Sequence, residues 1–116
     1  QSNPPKEALL KQRGAEILLL PGAHGQVDLP ALMRELAKRH INELHVEAGA
    51  RLNGALLQQG CVDELLLYLA PNILGEALPM FALPALDRLA DKYSLRFHEV
   101  TPIGDDMRIL ARINPR

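Results

Sequence analysis

The first seventy residues alternate between two patterns, and that alternation restricts the fold more than any other feature. Runs of strand length occupy residues 15–20, 41–47 and 62–70. Each is preceded by a stretch of helical character. Residues 6–13 follow Pro4-Pro5 and end at Gly14, a residue suited to closing a helix. Residues 29–39 carry Leu29, Leu32, Met33, Leu36 and Ala37 at helical spacing, with Asp28 as N-cap and Pro30 in the first turn. Residues 50–59 form a third helix, closed by Gly60. Strands alternating with helices argue for a mostly parallel sheet covered by helices. The run 65–69 is apolar throughout, as in a central strand buried on both faces.

Beyond residue 85 the pattern changes. Residues 86–92 read as a short helical segment. Residues 93–101 then alternate, Tyr93, Leu95, Phe97 and Glu99 against Ser94, Arg96, His98 and Val100. Turn residues fill 103–106, and 107–113 is a further strand, so the tail reads as an antiparallel hairpin. The expected fold class is α/β with a mixed sheet. An apolar content of 47% against 23% charged suits a folded core, packed by Leu, Ile, Val and Ala because aromatics make up only 3%. A chain of 116 residues is one domain at most, or part of one.

The totals also narrow the partners. A net charge of −1 argues against nucleic acid and anionic membranes. The longest apolar run, 65–71, falls far short of the ~18 residues of a membrane span, and no basic-then-apolar leader is present. Cys61 is the single cysteine, which fits a reducing cytoplasm. His24, His40, His45 and His98 lack metal-ligand spacing, so no metal site is expected. Gln1, Ser2 and Asn3 read as the remnant of an expression tag, leaving 4–116 as part of one domain.

The chemistry centres on "EAGARLNGA", residues 47–55. A Walker A loop requires Lys and Ser/Thr after its second glycine, but Ala55-Leu56 follows here. A dinucleotide fingerprint requires glycine where Arg51 stands. Two readings survive. One is an ordinary strand-to-helix turn. The other is a helix start whose unpaired N–H groups, positive dipole end and Arg51 face a phosphate, with Gly49 allowing close approach. Glu47, at the end of its expected strand, is either a ligand-binding carboxylate or a cap and ion-pair residue. The loop 72–83, bracketed by Pro71, Pro79 and Pro84, either borders this site or links elements.

The stretch "HVEAGARLNGALLQQGCVDELLLYLAPNILG", residues 45–75, closely resembles the reductase domain of the bifunctional riboflavin-biosynthesis deaminase–reductase family. The resemblance rests on Val46-Glu47-Ala48-Gly49, Leu52-Asn53-Gly54, Val62-Asp63-Glu64-Leu65, and Ala70-Pro71 followed by Gly75. The preceding helix and the closing hairpin, with its acidic turn at Asp105-Asp106, fit as well. It implies a dihydrofolate-reductase-like three-layer αβα fold. It implies NADPH-dependent reduction of a 5-amino-6-(5-phosphoribosylamino)uracil substrate to the ribitylamino product, by hydride delivery to the former anomeric carbon. It places Gly49, Ala50, Arg51, Leu52, Asn53, Gly54 and Ala55 against the cofactor phosphates and Glu47 against the substrate. It names no catalytic acid. The implied enzyme is a cytoplasmic homodimer.

The chain matches only the C-terminal half of that domain, so the piece is expected to lack turnover alone. The deaminase zinc motif is missing, because one cysteine cannot supply it. The alternatives are a related reductase of the same fold with another substrate, and a non-catalytic assembly fragment whose open sheet edge pairs with another copy.

Overall fold

The computed structural model describes residues 3–114. The tag assignment of Gln1 and Ser2 lies outside the described residues. The chain divides into two compact units, Gln1–His45 and Val46–Arg116.

In the first unit, α1 (Pro4–Gln12) starts at Asn3, whose side chain accepts a hydrogen bond from Lys6 N at 3.2 Å. Asn3, grouped with the tag by the sequence reading, is thus a helix cap. Gly14 closes this helix at φ +82°, a conformation that favours glycine. The second helix, α2 (Leu29–Lys38), is capped by Asp28, which accepts from Ala31 N at 2.8 Å. Leu29 is buried at 6% exposure.

Segment 15–20 joins no ladder, contrary to expectation. It is tied instead to the end of α2, where Arg39 donates to both oxygens of Glu16, at 2.6 and 2.7 Å, and to Glu35 at 3.1 Å. The Arg39 hydrogen bond, followed by its charge, holds the Glu16 carboxyl below its ordinary value of 4.5. A depressed folded value means that the pair's contribution is present above the unfolded value and lost as pH falls through the folded one. A carboxyl-detected NMR titration is expected to give Glu16 a midpoint below 4.5, and Arg39→Ala to restore the ordinary one. An unchanged midpoint in the variant would refute the pairing.

In the second unit, α3 (Ala50–Gln58) precedes β1 (Glu64–Leu69), and β2 (Leu95–Ile103) and β3 (Asp106–Ile113) follow. The sheet order is β1-β3-β2, with both pairings antiparallel. β2 turns into β3 through Gly104-Asp105, with Gly104 at φ +59°. A left-handed glycine at the first loop position suits the twist of a two-residue hairpin.

Three sequence expectations are corrected here. No parallel ladder forms among the described residues, because segments 15–20 and 41–47 are not in ladders. A run with strand composition becomes a strand only when a neighbour receives its N–H and C=O groups. For the same reason β1 is an edge strand of this sheet rather than a central one, and Leu66, Tyr68 and Leu69 are exposed. Segment 86–92 yields only the short 3₁₀ turn Leu89–Asp91, since so short a helix is marginal without a packed face.

The sheet has two unlike faces. The register places Leu65, Leu67 and Leu69 on the same side as Met107, Ile109 and Ala111. A register shift between Phe97 and Glu99 marks a bulge at His98. Simple alternation would put Glu99 beside Leu95 and Phe97 on this apolar side. The extra residue moves Val100 there instead, opposite Ile109, and sends Glu99 to the other face. On that face Arg108 binds Glu99, and Arg112 binds Glu64 at 2.8 Å. The Thr101 hydroxyl donates to Glu99 at 2.7 Å and, with the Arg108 charge, holds that carboxyl below its ordinary value. Among the described residues of this unit, the buried apolar side chains are Leu56, Leu57 and Ala111.

Candidate functional site

The start of α3 gathers the residues singled out from the sequence. Gly49 is its N-cap, with extended backbone (φ −80°, ψ 168°) and no side-chain cap. The first intrahelical bond runs from Asn53 N to Gly49 O, at 3.2 Å. Helix geometry therefore leaves the N–H groups of Ala50, Arg51 and Leu52 without intrahelical acceptors. The first turn contains no acidic residue, so nothing on it opposes the positive end of the helix dipole. A side chain added at Gly49 would meet open space. Arg51 and Leu52 are exposed, Ala50, Asn53 and Ala55 half-buried, and Gly54 buried. Glu47 is exposed two residues before the cap.

The structure separates these residues into two groups. Gly49, Ala50, Arg51 and Leu52 present donors and charge at the open helix start. Asn53 and Gly54 face a different neighbour. The Asn53 amide donates to Ala48 O at 3.0 Å and to Met80 O at 3.3 Å. Ala82 N donates to Ala50 O at 2.9 Å. Ala82 O lies only 2.3 Å from where a Cβ on Gly54 would stand. Residues 80–82 of the loop are therefore docked against the first two turns of α3. The sequence offered only the bracketing prolines as a signal, and no spacing rule pairs Asn53 with Met80.

Two open clefts in the same unit, of roughly 330 and 830 Å³, lie elsewhere. The first is lined by Gln58, Leu86 and Tyr93 among others, the second by Leu57, Gly60, Arg96 and Arg112 among others. Neither includes Glu47 or any residue of 49–55. Among the described residues no group of three His, Cys, Asp or Glu side chains is arranged to hold a metal ion. No helix among them is long and apolar enough to cross a membrane.

A glycine-capped helix start, a loop fastened onto that helix and an antiparallel closing hairpin together define the class: an α/β domain with an anion-compatible helix end. The chain belongs to the RibD C-terminal domain family, which matches residues 2–109. It is 47% identical over 91 residues to the riboflavin biosynthesis protein RibD of Escherichia coli, covering 78% of this chain and 25% of that protein. Against the protein of Buchnera aphidicola named 5-amino-6-(5-phosphoribosylamino)uracil reductase, identity is 33% over 86 residues, covering 73% of this chain and 42% of the relative. The solved structure of Acinetobacter baumannii RibD, form 2, superposes with a TM-score of 0.79 at 28% identity, over 92% of this chain and 29% of that one. The chain thus spans about a quarter of the RibD proteins it matches, and its fold is that of part of their C-terminal domain.

Proposed function

We propose that this chain is part of an NADPH-dependent reductase of riboflavin biosynthesis acting on 5-amino-6-(5-phosphoribosylamino)uracil. The observation that carries the reading is the open start of α3. Its free N–H donors, the exposed Arg51 and the open space at Gly49 fit a phosphate. They occur in a chain whose relatives include a protein named for that reductase activity.

In this reading the stretch 49–55 carries the cofactor phosphates, with Ala50, Arg51 and Leu52 as the groups that touch them, and Glu47 receives hydrogen bonds from the substrate. When bound, the reduced nicotinamide supplies the hydride that converts the ribosylamine to the ribitylamine. The protein's own share is orientation and charge. Arg51 adds a fixed positive charge beside the helix start, and the backbone of Ala50 and Arg51 supplies donors that need no rearrangement. We further propose a cytoplasmic homodimer. Its support is the open edge strand β1, where Leu66, Tyr68 and Leu69 are exposed. Sedimentation equilibrium distinguishes dimer from monomer.

The test is an NADPH titration followed by nicotinamide fluorescence. Arg51→Ala is expected to weaken binding about tenfold, the worth of one hydrogen bond to a charged group. The wild-type affinity is expected to fall as salt is raised. Equal affinity of wild type and variant would remove the phosphate role of this helix start.

A further inference from the structure

We propose that Asn53 is a positioning residue, and that the segment it holds, 80–82, forms a wall of the site at the start of α3. The wall's role in ligand binding rests on the cofactor reading above; the clamp itself stands on the geometry.

Asn53 occupies the first turn of a helix whose other early residues, Arg51 and Leu52, are exposed. A ligand-facing amide there would direct its donors outward. The Asn53 amide instead spends both donors on backbone carbonyls of two different segments, Ala48 O at 3.0 Å and Met80 O at 3.3 Å. An amide nitrogen carries two hydrogens, so these two bonds complete its donor capacity. One bond fixes the chain just after Glu47. The other fixes the loop.

Two further contacts make the loop's position a single solution rather than a loose approach. The Ala82 N–H donates to Ala50 O. Ala82 O lies too close to Gly54 to leave room for a Cβ there. Thus one side chain and one absent side chain, adjacent in sequence, hold the same three-residue stretch. Asn53 therefore couples the carboxylate-bearing segment 47–48, the helix start and the loop 80–82 into one rigid corner. Removing its donors would leave the helix and the sheet intact and release the corner.

Hydrogen exchange on the 116-residue chain tests this directly, with Asn53→Ala and Asn53→Asp as variants. The aspartate keeps the side-chain shape and deletes the two donors. Both are expected to raise exchange at the Ala82 amide roughly tenfold, with the β3 amides unchanged. A uniform rise that includes β3 would mean a merely structural role, and no change at Ala82 would mean no clamp; either overturns the proposal. NADPH titration then separates the clamp from the cofactor reading. A rise in Kd of roughly tenfold in both Asn53 variants, matched by faster loop exchange, supports the wall. Faster loop exchange with unchanged Kd refutes the wall. If wild type binds no NADPH, the cofactor reading and the wall both fail, and the exchange result still decides the clamp.

Discussion

Gly54→Ala is expected to lower the melting temperature by about 4–8 °C, an effect of roughly 1 kcal/mol for a domain of this size. The sign is the point of the experiment. A glycine in a helix interior ordinarily costs about 0.5–1 kcal/mol relative to alanine, so the usual substitution stabilises. Here the new Cβ would lie 2.3 Å from Ala82 O, 3.0 Å from Ala82 C and 3.2 Å from Ala82 N. These are backbone atoms, held by the Ala82 N–Ala50 O bond and by Asn53 on Met80 O. The loop cannot yield by rotating a side chain. Overpacking of this kind costs about 1–3 kcal/mol, which outweighs the helical gain. Calorimetric melts of the two proteins decide it. A melting temperature at or above that of wild type would show that the loop moves aside cheaply, and the docking described above would be wrong.

Ala111→Asp is expected to have the larger effect, about 3 kcal/mol or more, a substantial fraction of a typical domain stability of ~5–15 kcal/mol. Ala111 sits mid-strand in β3, the central strand, with Leu65 and Phe97 opposite it on either side, and it is 0% exposed. A carboxyl placed there is on the apolar face, where the neighbouring positions Leu65, Leu67, Ile109 and Val100 offer no side-chain partner. Phe97→Asp is the internal control. Phe97 lies on the same face but is 65% exposed, so its aspartate can remain hydrated and is expected to cost under about 1 kcal/mol. Urea unfolding of both variants gives the comparison. Equal destabilisation by the two substitutions would contradict the assigned burial of this face.

Local signals carried far in this chain because the groups concerned have partners close by in sequence. Asp28 caps α2, Gly14 and Gly60 follow α1 and α3 with positive φ, and Gly104 turns the hairpin. Each is satisfied within a few residues, so composition and spacing suffice to find it. The family was legible for a similar reason: residues 45–75 carry their motifs in one unbroken run. The helix start proposed to face the cofactor was legible as well, as a glycine followed by Ala50, Arg51 and Leu52.

What the local pattern could not settle was pairing at a distance. Segments 15–20 and 41–47 have strand composition, but composition does not provide a neighbour, and neither joins a ladder. Alternation through 93–101 grouped Glu99 with Leu95 and Phe97, and only the ladder with β3 revealed the bulge that puts Val100 on their side instead. The resemblance placed Asn53 and Gly54 in the cofactor-binding stretch 49–55, and no local signal told what else they touch. The tertiary structure turned both toward Met80 and Ala82, more than twenty-five residues away. Sequence by itself determined the helix ends, the hairpin and the family, because short-range hydrogen bonds and backbone conformation obey local rules. Tertiary structure decided which strands exist, which face each residue takes and what Asn53 holds, because a ladder or a clamp needs a second segment whose position no local rule supplies.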